Sequence, residues 1–265
     1  MIKKAGLLLS LCLITSVAFA QRVVVLTPDV ADIVVAIGAQ ANVVGKDDQS
    51  KHHQSLAKAK SIGVYRTLSP EPILAQNPDL VVGSWMAQPT TIYNQLNKLG
   101  IKSVNVAADE AGSDFAPGIE KLGQLLGKPA QANALAQKWR QGMKQRPANK
   151  KRYILSYDGR MVAGKGTVGD LLIRLAGGVN AAANINGVKP LSREGWLQAN
   201  PDVVIIADHN LSVVGGSLAA YKQQPELKSS PAVKNNKVQA WAAKDFLRLG
   251  LDSPKVVDQL HALGR

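Results

Sequence analysis

The chain alternates short unbroken apolar runs with longer segments whose apolar residues recur at helical spacing. Ile101–Val106 reads as a strand, and Arg22-Val-Val-Val-Leu26, Val43-Val-Gly45, Leu80-Val-Val82, Arg152–Ser156 and Val203–Ile206 are runs whose interiors show no polar alternation. That is the pattern of strands buried on both faces. Between them, Val30–Ile37, Ile92–Leu99 and Val168–Leu175 read as helices, the first closed by Gly38 and the last by Gly177-Gly178. Strand and helix in turn predict an α/β fold with parallel sheets.

One unit occurs twice. Leu68-Ser-Pro-Glu-Pro-Ile-Leu-Ala-Gln-Asn-Pro-Asp-Leu-Val-Val82 aligns with Leu191-Ser-Arg-Glu-Gly-Trp-Leu-Gln-Ala-Asn-Pro-Asp-Val-Val-Ile205, identical at eight of fifteen positions. In each copy a serine, Ser69 or Ser192, suits a helix N-cap. A glutamate, Glu71 or Glu194, falls in the first turn, where the helix dipole favours a carboxylate. Each short helix stops before Pro78 or Pro201, and a buried strand follows. A second echo sets Thr27–Gly38 against Thr167–Gly178, with Asp170 matching Asp32. Duplication predicts two α/β lobes with a ligand cleft between them. From Phe115 to about Arg146, Leu122, Leu125, Leu126, Leu135 and Trp139 keep helical spacing, with Pro129 marking a new turn or a kink. This stretch predicts a connecting helix. The expected partition is a leader at 1–20, a first lobe at 21–113, a connecting helix region at 114–146 and a second lobe at 147–265.

The leader carries Lys3 and Lys4, an apolar run from Ala5 to Val17 and a small-residue cleavage pattern at Ala18-Phe-Ala20. It reads as a cleavable secretory signal, too short to span a bilayer comfortably. Cys12, the only cysteine, lies within it; acylation there would want a small residue where Leu11 stands. The mature chain therefore has neither disulfide nor thiolate chemistry. The formal charge of +13 becomes +11 without Lys3 and Lys4, 30 basic less 19 acidic residues. The basic residues are scattered apart from Lys144–Arg152, which describes a solvated basic surface and not a nucleic-acid-binding face. Such a surface also suits an anionic ligand. No nucleophile elbow or His-Glu-x-x-His pair is present, so an enzyme is not expected. Gly164-Lys-Gly-Thr167 fails the phosphate-loop spacing, although Lys165 at a helix start could meet a ligand carboxylate.

Several strings in order carry a resemblance: Ile62-Gly-Val-Tyr-Arg-Thr-Leu-Ser-Pro-Glu71, Gly164-Lys-Gly-Thr167, Leu172-Ile-Arg-Leu-Ala-Gly-Gly178, Asn180-Ala-Ala and Lys189-Pro-Leu-Ser192. The chain resembles the periplasmic binding proteins that deliver iron chelates, haem or cobalamin to ABC importers, and most of all their haem-binding branch. The resemblance covers essentially the whole mature chain. It implies two lobes joined by a single long α-helix and a monomer in the periplasm. The cargo it implies is haem, with a ferric siderophore or cobalamin as alternatives, and the partner is the importer's membrane permease. It makes Tyr65 the candidate axial ligand of haem iron through a hard phenolate oxygen. Arg66 would stabilise the phenolate or pair with a propionate. In haem-binding relatives the tyrosine directly follows the glycine; here Val64 intervenes. His52 and His53 are the alternative ligands. With His209 they also allow a zinc or manganese carrier. Trp85, Met86, Tyr157 and His209 all follow strands, and strand ends in α/β sheets face the ligand. The resemblance further implies that Glu71 and Glu194 dock to arginines of the permease, one glutamate per lobe.

Overall fold

The computed structural model describes residues 21–265; the expected signal and Cys12 lie outside the described residues. The first lobe is built on β1 (Val23–Val25), β2 (Val43–Lys46), β3 (Lys60–Ser61), β4 (Leu80–Ser84) and β5 (Lys102–Ala107), in the order β3-β2-β1-β4-β5. Every pair in this sheet is parallel. Its helices are α1 (Pro28–Ala36), α2 (Pro70–Leu74) and α3 (Ile92–Lys98). Next come α4 (Phe115–Leu125) and α5 (Pro129–Gly142).

The second lobe holds β6 (Arg152–Ser156), β7 (Met161–Ala163), β8 (Val179–Asn180), β9 (Val188–Pro190), β10 (Val203–Ala207) and β11 (Val238–Trp241). Their order is β11-β10-β6-β7-β9, with β8 also against β6. The pairs of β10 with β11 and of β6 with β10 and β8 are parallel, whereas β7 runs antiparallel to β6 and β9. Helices α6 (Val168–Leu175), α7 (Arg193–Ala199), α8 (Leu218–Lys222), α9 (Pro231–Lys234), α10 (Lys244–Leu247) and α11 (Ser253–Leu263) surround it. No helix among the described residues is long and apolar enough to cross a membrane.

The central strands alternate their side chains between two cores, as the two-residue strand period requires. Val23 and Val25 enter one cluster and Val24 and Leu26 another; Val203 and Ile205 likewise part from Val204 and Ile206. Each sheet thus has a private core on its outer face, around Ile73 and Ile92 in the first lobe and Trp196 and Tyr221 in the second. The inner faces share a single cluster that runs through Ile119, Leu122 and Trp139 of α4 and α5 to Leu172 and Leu260.

The duplicated unit uses its Asn-Pro-Asp triplet identically in both lobes. Asn77 and Asn200 take left-handed φ values of 46° and 38°, which end the helix and turn the chain into the next strand. The carboxylates of Asp79 and Asp202 accept from the backbone N–H of Arg22 at 2.7 Å and Arg152 at 2.9 Å. Those arginines in turn donate to the open carbonyls at the helix ends: Arg22 to Asn77 at 2.9 Å and Arg152 to Ala199 at 2.7 Å. Two partners distant in sequence therefore satisfy the helix terminus that each proline leaves uncontinued.

Two expectations are corrected. The single connecting helix is instead a helical hairpin. Gly127, at φ 67°, reverses the chain in a conformation that a side chain resists, and Pro129 opens the second helix at its first turn. Arg140 consequently reaches back to form a two-point ion pair with Glu120, with Nη2 3.0 Å from Oε2, and Phe115 and Trp139 stack at 4.9 Å between centroids. Asp170 also does not match Asp32. It sits three residues past its cap Thr167, whose hydroxyl accepts from Asp170 N at 3.2 Å, whereas Asp32 stands five past Thr27.

Candidate functional site

A cleft of about 850 Å³ opens between the lobes. Its walls include Tyr65, Arg66, Trp85 and Met86 from the first lobe and Tyr157 and His209 from the second. Trp85 and Met86 follow β4, Tyr157 follows β6 and His209 follows β10, whereas Tyr65 and Arg66 come from the loop between β3 and α2.

The first-lobe wall is held from behind. Tyr93 is buried and donates its hydroxyl to Ser84 O at 2.7 Å, and burial pushes its ionisation upward. Gly83 is required there, because a Cβ would lie 2.5 Å from that hydroxyl oxygen. Thr27 Oγ1 accepts from Ser84 N at 3.2 Å. The strand end that presents Trp85 and Met86 is fixed by these contacts. Gln88 N donates to Tyr65 O at 2.7 Å and Leu68 N to Gln88 O at 2.8 Å, which sew the tyrosine turn to the same loop.

Tyr65 is half-buried and Arg66 is exposed. The Arg66 guanidinium lies 5.2 Å from the centroid of the Tyr65 ring, within range of a cation–π contact. Among the described residues Arg66 and Lys244 have no ion-pair partner, so their charge is available to an anionic ligand. Across the cleft, His209 Nε2 is 3.4 Å from the Tyr157 hydroxyl, and the rings meet edge to face at 5.4 Å.

The histidine pair is placed differently from expectation. His52 lines the cleft, but His53 faces a neighbouring groove. Both rings turn Nε2 toward Asp32 Oδ1, at 3.2 Å from His52 and 2.7 Å from His53. Asp47 positions this turn by accepting from Gln49 N at 2.9 Å and from the Ser50 hydroxyl; burial raises the Asp47 carboxyl above its ordinary range. His209 stands apart, so the three histidines do not form one site. Lys165 also lies away from the cleft. Its backbone N donates to Ile185 O at 2.6 Å and its backbone O accepts from Gly187 N at 3.0 Å, which ties its turn to the chain leading into β9.

Glu71 and Glu194 are exposed in the first turns of α2 and α7. A hydrogen bond from the Ser69 hydroxyl holds the Glu71 carboxyl below its ordinary range. Sequence reasoning missed Asp32, Gln49, Lys244, Leu247 and Arg248 as cleft residues. Arg248 and Asp32 join the lobes across the cleft floor, with Nη2 3.6 Å from Oδ2.

Residues 23–244 match the family model described as periplasmic binding protein. The chain belongs to the periplasmic binding protein family. Members of this periplasmic family bind substrates and are not enzymes. Among solved structures, the chain is similar to the periplasmic heme-binding protein RhuT of Roseiflexus sp. RS-1, with a TM-score of 0.80, 28% identity and coverage of 93% of this chain and 100% of that one. It is also similar to a periplasmic heme-binding protein of Pseudomonas aeruginosa, with a TM-score of 0.74, 29% identity and coverage of 92% and 91%. A vitamin B12-binding protein of Vibrio parahaemolyticus is 25% identical over 227 residues, 82% of this chain and 80% of the relative. This periplasmic binding protein thus has relatives whose names give two different cargoes.

Proposed function

We propose that the protein captures a tetrapyrrole in the interlobe cleft, that this cargo is haem, and that the protein delivers it to an ABC importer. The observation that carries the reading is Tyr65 in the cleft wall with the unpaired Arg66 guanidinium over its ring. A tyrosine phenolate is a hard anionic oxygen that can ligate ferric iron. Trp85, Met86 and Tyr157 offer apolar and aromatic faces to a flat macrocycle. Arg66 and Lys244 can meet propionates. Cobalamin is the second reading, favoured by the vitamin B12-binding relatives. Its corrin edge carries neutral amides, for which these cations have less use.

Hemin added to the purified mature protein should give a one-to-one complex with a shifted Soret band. Tyr65→Ala should lose the ferric–phenolate signature, while a His52→Ala, His53→Ala double variant keeps it. No spectral change with hemin, alongside tight binding of cobalamin, would exchange the readings.

Glu71 and Glu194 are the proposed docking contacts, one exposed carboxylate in each copy of the duplicated unit. Charge reversal at either, Glu71→Arg or Glu194→Arg, should leave ligand titrations unchanged and abolish uptake through the cognate importer. Normal uptake by both variants would remove the glutamates from this role. Export by a cleaved signal completes the reading, and the N-terminal residue of the protein recovered from the periplasm tests it.

A further inference from the structure

We propose that Asp32, His52 and His53 form a binding site for a divalent transition-metal cation at the junction of the lobes, where the cleft meets the neighbouring groove. The side-chain donors of these residues lie within 4.8 Å of one another. Two imidazoles and one carboxylate form a donor set suited to zinc and its first-row neighbours.

The hydrogen-bond pattern points to a cation. His52 Nδ1 lies 3.1 Å from Gln49 O. A carbonyl can only accept, so Nδ1 carries the proton. Nε2 is then the ring nitrogen turned toward Asp32 Oδ1, 3.2 Å away. His53 Nε2 converges on the same oxygen at 2.7 Å. The two imidazole rings lie with centroids 4.0 Å apart, and Arg248 Nη2 is 3.6 Å from Asp32 Oδ2. One cation placed where these three donors converge would take three metal–ligand bonds.

The geometry is close to what binding needs. Zinc bonds of about 2.0–2.1 Å in a tetrahedron put donors roughly 3.3 Å apart. The Gln49 carbonyl fixes the tautomer and orientation of His52, the usual supporting contact of a metal-bound histidine. Arg248 occupies the second carboxylate oxygen and leaves Oδ1 for the ion. His53 and Asp32 are largely shielded, with side chains 18% and 23% exposed, while His52 at 54% leaves an open side for water or another ligand. The remaining positively charged side chain facing this groove is Lys244, and the acids are Asp245 and Asp252.

The test uses the mature protein stripped with chelator and free of haem. Zinc is titrated in competition with a chromophoric chelator, and cobalt is added in parallel for its visible spectrum. The expected result is one zinc per chain and a cobalt spectrum of low-symmetry nitrogen–oxygen ligation. His53→Gln and Asp32→Asn should each weaken zinc by at least the roughly ten- to hundredfold that loss of a supporting group alone produces. His261→Gln, on α11, should bind zinc as wild type does. Circular dichroism identifies any variant that fails to fold; His52→Gln, at the most exposed ligand, then stands in for it. Absence of a one-to-one site, or wild-type zinc affinity in folded His52→Gln and His53→Gln, would overturn the proposal. Neither outcome depends on the hemin titration.

Discussion

Ser192 Oγ accepts a hydrogen bond from Gly195 N at 3.0 Å, whereas Ser69, its counterpart in the first copy of the duplicated unit, caps no backbone N–H. The reason lies three residues past each serine. The position three past Ser69 is Pro72, which has no N–H to give. The Ser69 hydroxyl turns to the Glu71 carboxylate instead. The Asn-Pro-Asp clamp at the other end of each helix is unchanged between the copies. Identical residues in duplicated units thus share a role only where their partners are duplicated too. Arg22 just before β1 and Arg152 at the start of β6 stand at matching places, so the clamp survives; proline against glycine breaks the cap.

The largest effects should come from the private cores under the two helices. Ile73 is 0% exposed and Trp196, at the matching position, is 2% exposed. Trp196→Ala should cost about 3–5 kcal/mol and Ile73→Ala about 2–5 kcal/mol in urea unfolding. Both losses should appear within one cooperative transition, because the inner faces share a core. Two separated transitions would break the comparison by making the lobes independent. A smaller difference should separate the serines. Ser192→Ala should cost about 1 kcal/mol, and Ser69→Ala only a few tenths. Equal costs would mean that the cap is not what distinguishes the copies. Smallest is the coupling across the first helix. Pro72→Ala restores an N–H for Ser69, and a double-mutant cycle with Ser69→Ala should give about 0.5 kcal/mol of interaction. A coupling of zero would show that the proline is not the cause.

Much of this architecture was legible in the residues. The buried strands announced themselves as β-branched runs, and the duplicated unit announced two lobes. The hairpin was not legible as such. Helical periodicity records which face is apolar, and Leu122, Leu125, Leu135 and Trp139 keep that record on both sides of a reversal. Gly127, two residues before Pro129, was the available signal. The antiparallel edge of the second sheet escaped because β7 and β9 have three residues each and β9 is exposed. In the cleft, strand ends predicted Trp85, Met86, Tyr157 and His209. Asp32 and Arg248 were not predictable, because their meaning is a contact between residues far apart in the chain. The orientation of His52 and His53 depends on the same distant carboxylate.

The continuous inner core also bears on how the molecule is read by its transporter. A packed interior deforms little, so lobes that share one cannot swing freely about a loose joint. Glu71 and Glu194 are then carried on a stiff frame, like the fixed jaws of a gauge. On the docking reading, an empty and a loaded molecule would offer the permease nearly the same spacing between carboxylates. Discrimination between them would fall to the cleft mouth, where cargo itself is on view.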